Sequence, residues 1–151
     1  MANKSKVKGT KYETDLVNVI NDWEGLVICE RLPLHGNEDK GDIRLRIGDL
    51  VICIEAKNLK DYPSPSLMEK FREDTVKETA NLGADGGLLV INKYRKRITL
   101  SEVWMQHGTF FKLYRRNPPT SDDAHAWCCM TLGDFLHRFL GVPVWADRSR
   151  H

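Results

Sequence analysis

Residues 41–57 constrain the fold of this chain more than any other stretch. Ile43, Leu45 and Ile47 alternate with polar residues, Gly48-Asp49 is a turn signal, and residues 50–56 form an apolar run rich in Val and Ile. That pattern predicts a β-hairpin. With Gly48-Asp49 as a two-residue loop, Ile47 faces Leu50, Leu45 faces Ile52 and Ile43 faces Ile54. All six aliphatic side chains then share one face, and a slip of one residue would turn the whole set around.

The same register fixes the other face. Arg44 lies opposite Cys53, Arg46 opposite Val51, and Asp42 opposite Glu55. Residues paired directly across a ladder have Cβ atoms about 4.5–5.5 Å apart. Carboxylates that close oppose each other's ionisation unless something positive stands between them. Lys57, two residues beyond Glu55, projects from the same face. Two carboxylates and an ammonium converge at one end of the hairpin, and a hard divalent cation such as Mg²⁺ suits those oxygens. The alternative is a solvated surface cluster. Against it, the acids end a run, residues 51–54, that reads as buried.

The remaining chain supplies helices for both sides of a sheet. Residues 11–23 read as a helix, with Tyr12, Leu16, Val19, Ile20 and Trp23 at helical spacing, Thr10 as N-cap and Gly25 past the end. Residues 26–30 read as a strand and residues 32–40 as a polar loop. Pro63 and Pro65 break the chain before a second helix over residues 66–82, with Leu67, Met68, Phe71, Thr75 and Thr79 along one side and Gly83 closing it. Residues 87–91 read as a buried strand, residues 93–97 as a basic loop, and residues 110–114 and 126–130 as further strands. Thr131 caps a last helix carrying Leu132, Phe135, Leu136, Phe139 and Leu140. Residues 99–108 give no firm pattern. The order predicts α/β or α+β architecture, a mixed sheet flanked by helices.

Composition narrows the function classes only a little. The 151 residues suit one domain, with a core over about residues 8–140 and a polar tail at 147–151. The formal net charge of +2 is too mild to argue for nucleic acid, so any such case rests on local clusters. No apolar run approaches the roughly 20 residues that span a bilayer. Residues 1–11 are polar and lysine-rich, unlike a secretory leader, so a cytoplasmic location and no membrane partner are expected. Cys29, Cys53, Cys128 and Cys129 lack zinc-ligand spacing and read as reduced core thiols.

Gly41-Asp42, a hairpin, then Glu55-Ala56-Lys57 resembles the signature of the PD-(D/E)XK nucleases, with Gly41 in place of the proline. The likeness extends further. Lys8-Gly9-Thr10-Lys11-Tyr12-Glu13 resembles the opening of archaeal-type and phage Holliday junction resolvases. Residues 69–85, the strand Leu88-Leu89-Val90-Ile91 with the basic residues after it, and Met130-Thr131-Leu132-Gly133-Asp134-Phe135-Leu136 also fit. It covers about residues 8–140, with an atypical stretch near 98–124, and Asn37 stands where some relatives carry serine.

The resemblance implies a restriction-endonuclease-like fold and hydrolysis of DNA phosphodiesters, leaving a 5′-phosphate and a 3′-hydroxyl. Asp42, Glu55 and the Ala56 carbonyl would hold Mg²⁺, with Mn²⁺ as a substitute, and Lys57 would orient the attacking water. Glu13 would assist at the metal; from spacing alone, Thr10-x-x-Glu13 reads rather as a capping box. Lys8, Lys11, Lys40, Lys93, Arg95, Lys96 and Arg97 would contact DNA phosphates, each set against a plain solvated surface. A branched substrate implies a homodimer, in the host's cytoplasm if a phage encodes the chain. A different nuclease of the same fold, end-processing or restriction-like, and a non-cleaving DNA-binding module are the competing readings.

Overall fold

The computed structural model describes residues 4–23, 27–33, 42–114 and 122–140, with the side chains of residues 4–8, 27, 122 and 123 outside that description. Six strands form one mixed sheet whose spatial order is the chain order: β1 (Val27–Arg31), β2 (Ile43–Ile47), β3 (Leu50–Lys57), β4 (Gly86–Ile91), β5 (Glu102–Gln106) and β6 (Trp127–Thr131). Neighbours are antiparallel except β3 and β4, which run parallel and are joined through helix α2 (Pro65–Leu82). Helix α1 (Lys4–Asn21) precedes the sheet, α3 (His107–Leu113) joins β5 to β6, and α4 (Leu132–Phe135) ends in a wider π turn over Leu136–Leu140. The expected mixed sheet flanked by helices is therefore present.

The hairpin register is the expected one, with Ile43 on Ile54, Leu45 on Ile52 and Ile47 on Leu50. Gly48 adopts φ 60°, which a first turn position of this kind requires and which glycine reaches without a Cβ clash. Ile43, Leu45, Ile52 and Ile54 are fully buried, while Ile47 and Leu50 at the turn end are only partly covered.

Two apolar layers form. One face of the sheet packs Leu16, Ile20 and Trp23 with Leu132, Phe135 and Leu136 against Ile43, Leu45, Ile52, Ile54, Leu88 and Val90. The other packs Met68 and Phe71 of α2 against Leu89 and Ile91. Helix α2 starts where Ser64 accepts the Leu67 amide at 3.2 Å, with Pro65 at its first position, and ends on Gly83 at φ 71°.

Four expectations need correction. Helix α1 begins at Lys4 rather than near residue 11, so Thr10 lies inside the helix and is not its cap. Residues 110–114 fall mainly in α3, because Phe110 and Leu113 pack as one helical face against the core. Leu67 is exposed, and the buried stripe of α2 is Met68, Phe71, Thr75 and Glu78. Cys129 is exposed and Cys128 half-buried, so only Cys29 and Cys53 are core thiols. The stretch over residues 99–108 holds β5. The loop at 34–41, with Lys40, and the tail at 147–151 lie outside the described residues.

Candidate active site

The chain ends of β1, β3 and β4 and the chain starts of β2 and β5 meet at one end of the sheet. Asp42 stands just before β2. Its amide donates to the Ile54 carbonyl at 3.2 Å, its carbonyl accepts the Leu32 amide at 2.9 Å, and its Oδ2 accepts the Ala56 amide at 3.0 Å. The regular ladder stops at Ile43 and Ile54, and past it Asp42 is tied to β3 by its amide on the Ile54 carbonyl and by its carboxylate on the Ala56 amide. Glu55 is buried on β3, and its Oε1 meets Lys57 Nζ at 2.9 Å.

Electrostatics bind these residues into one site. Burial, then the Glu55 charge, pushes the Asp42 carboxyl up to about 7; Glu13 adds to the rise, while the Ala56 amide and Lys57 oppose it. Burial alone would lower the Lys57 ammonium, but Glu55, Asp42 and Glu78 outweigh it and hold its pKa above the ordinary lysine value. Lys57 is thus a cation at neutral pH. The Cys53 thiol is pushed up to about 12, first by burial and then by Glu78.

Glu13 reaches the site from α1. Since Thr10 is interior to the helix, the capping-box role has no orphan N-terminus to serve, and the Thr14 hydroxyl instead donates to the Thr10 carbonyl at 3.0 Å. Glu13 Oε2 pairs with Arg31 at 3.0 Å, which fixes the carboxylate beside the chain end of β1.

Sequence reasoning passed over Glu78 and read Phe71 only as part of the apolar side of α2. Glu78 is 4% exposed, and its field reaches both Lys57 and Cys53. The signal for it was its spacing, since Met68, Phe71, Thr75 and Glu78 follow the 3-4-3 rhythm of a buried helical face. The Phe71 ring lies 4.9 Å from Lys57 Nζ, a cation–π contact.

The donor set fits a hard divalent cation. Asp42 and Glu55 are carboxylates whose closeness raises Asp42, a conflict that a metal charge would relieve. Among the described residues no cluster of three or more His, Cys, Asp or Glu side chains stands ready for a metal. A small protein ligand set of this kind suits Mg²⁺, which keeps several waters, better than Ca²⁺ or Zn²⁺.

A groove of about 220 Å³ opens at the same end, lined by Lys11 and Asp15 of α1, which pair with each other at 2.8 Å, Asn58 after β3, and Asn92, Lys93, Arg95 and Lys96 after β4. The fold thus brings Lys11 to the basic loop far along the chain. Its floor includes Tyr12, whose hydroxyl shares a 2.7 Å hydrogen bond with Ser101. The Lys96 amide donates to the Lys93 carbonyl at 2.9 Å and Arg95 takes φ 60°, so the loop is a tight turn. Arg95 at φ 60° is a left-handed conformation that side chains ordinarily avoid. Arg97 is exposed outside the groove, and the Lys8 side chain lies outside the described residues.

No family model matches the chain, and no curated protein matches it. Among solved structures it is similar to Hjc, a Holliday junction resolvase of the archaeal hyperthermophile Archaeoglobus fulgidus. The two share 21% identity over 63% of this chain and 74% of that one, at a TM-score of 0.45. A likeness at that level does not fix an activity. Among the described residues, no helix is long and apolar enough to cross a membrane.

Proposed function

We propose that this chain is a Mg²⁺-dependent DNA nuclease that hydrolyses phosphodiester bonds, acting as a homodimer on branched DNA. One observation carries the nuclease reading: Asp42, Glu55, Lys57 and Glu13, drawn from three separate stretches of chain, come within reach of one another's charge at the end of the sheet where the loop with Lys93, Arg95 and Lys96 also lies. The preference for branched DNA rests on the breadth of the sequence resemblance.

Asp42 and Glu55 would hold the metal, joined by the Ala56 carbonyl. When bound, Mg²⁺ supplies Lewis acidity toward the phosphate oxygens and toward water. Lys57, a permanent cation here, donates hydrogen bonds rather than accepting protons. It orients the attacking water and offsets charge on the phosphate. The water oxygen bonds to phosphorus and gives up a proton to solvent as the bond to the 3′ oxygen breaks, and that oxygen takes a proton from solvent and leaves as a hydroxyl. Glu13, held by Arg31, adds negative charge on the metal side. Lys11, Lys93, Arg95 and Lys96 track the backbone without reading sequence.

The test is cleavage with Mg²⁺ on four-way junctions, flaps, matched duplex and single strands, beside Asp42→Asn and Glu55→Gln. The expected result is cleavage of the four-way junction by a dimer, abolished by either substitution. Full activity in either variant sinks the mechanism. A monomer that cuts duplex as readily as junctions removes the branched substrate and leaves a general nuclease.

A further inference from the structure

We infer that Phe71 is a positioning residue for Lys57, an inference that rests on the nuclease reading above. Lys57 is partly exposed at the end of β3 and carries a long, freely rotating side chain. Besides the charges of Asp42 and Glu78, two direct contacts restrain its ammonium: Glu55 Oε1 at 2.9 Å and the face of the Phe71 ring, 4.9 Å from Nζ to the centroid. These restraints have different fates. A carboxylate drawn onto a divalent cation shares its charge between metal and ammonium, so the Glu55 restraint weakens in the loaded site. A benzene ring is no ligand for Mg²⁺, so the Phe71 restraint persists.

The ring is itself well fixed. Phe71 is 8% exposed and packs with Met68, Leu89 and Ile91. Its carbonyl accepts the Thr75 hydroxyl at 2.7 Å, and Ser64 pins the start of the helix seven residues before it. The ring therefore cannot follow the ammonium outward, and it sets the side on which Lys57 stands. A purely structural Phe71 would require only apolar bulk, which leucine or methionine supplies.

The experiment compares Phe71→Leu, Phe71→Met and Phe71→Tyr in the full chain. Cleavage of DNA with Mg²⁺ gives kcat and KM. Proton NMR of the metal-free protein gives the Lys57 side-chain methylene resonances, identified by their loss in Lys57→Arg. Expected are upfield ring-current shifts in the wild type and in Phe71→Tyr, absent from Phe71→Leu and Phe71→Met. The two aliphatic variants should lose about five- to ten-fold in kcat at nearly unchanged KM, and tyrosine should restore kcat. Should leucine unfold the protein, methionine carries the comparison. Wild-type kcat in a folded aliphatic variant overturns the inference, as does an equal loss in Phe71→Tyr. A wild type that cleaves no DNA refutes the nuclease reading; the resonances then still decide the contact, whose absence in the wild type refutes the placement of Lys57.

Discussion

The Asp42 carboxylate and the Ala56 amide form a 3.0 Å hydrogen bond that anchors the acid to β3 beyond the last regular pair of the hairpin. This bond lowers the cost of ionising Asp42, but burial and Glu55 together outweigh it.

The first prediction follows from that balance. The folded-state pKa of Asp42, about 7, lies above its unfolded value near 4. Between those values the folded state binds more protons, so metal-free stability falls as pH rises from about 4 to about 7. Asp42→Asn keeps an acceptor for the Ala56 amide and removes the charge. It should melt about 3 °C or more above wild type at pH 8, with little gain at pH 4. Mg²⁺ should raise the wild-type midpoint at pH 8 and leave the variant unmoved. Thermal melts across pH check both parts.

Glu13 supplies the second prediction. Its pairing with a half-exposed Arg31 is worth at most about 1 kcal/mol. Glu13→Gln should therefore shift the melting midpoint by less than about 4 °C, while cleavage falls by about ten-fold or more. Arg31→Met separates the roles. Near-normal cleavage in that variant assigns the loss to the glutamate itself, and an equal loss assigns it to the pair. Parallel melts and single-turnover rates read the outcome.

Third, the groove cations should act as a set. Replacing Lys93, Arg95 and Lys96 by alanine should weaken binding to every DNA and reduce the salt slope by up to about 3, since each neutralised phosphate contributes about 0.9. Arg97→Ala, outside the groove, should change the slope by less than any of the three. Binding titrations at several salt concentrations with Ca²⁺ give the slopes.

Fourth, Gly87 admits no side chain. A Cβ there would stand 2.1 Å from Thr79 Oγ1 and 3.2 Å from Thr75 Cγ2. Gly87→Ala should destabilise by about 1–3 kcal/mol. Thr79→Ala removes the nearest atom, so the double variant should recover part of that loss. Denaturant unfolding of the three variants checks the coupling.

The hairpin was readable because its two faces differ so sharply. Ile43, Leu45, Ile52 and Ile54 admit one register, and its extension past Ile43 and Ile54 pointed to Asp42, Glu55 and Lys57, whose charges act on one another in the structure. Helix α2 was readable from Pro63 and Pro65 before it and Gly83 after it, and its Ser64 cap was seen only in the structure. The start of α1 was not, because the polar lysine-rich residues before Thr10 carry no apolar periodicity, and Thr10-x-x-Glu13 mimics a helix start. Residues 110–114 misled because two adjacent phenylalanines suit strand and helix alike, and packing of Phe110 beside Phe139 decides for helix. Glu78 was hidden because a glutamate on a helix reads as solvent-facing until the packing of α2 on the sheet is known.

The strand order that matches the chain order has a consequence during synthesis. Each new strand joins the edge of the sheet laid down just before it, and one crossover, through α2, interrupts that succession. The growing chain need not hold an edge open for a strand still inside the ribosome. Asp42, Glu55 and Lys57 precede α2 in the chain, so the Lys57 ammonium meets the Phe71 ring only after α2 has been made. Truncations that stop before residue 65 should leave the hairpin without that helix, and a nascent chain of this protein would acquire its chemistry late, after its first half is already paired.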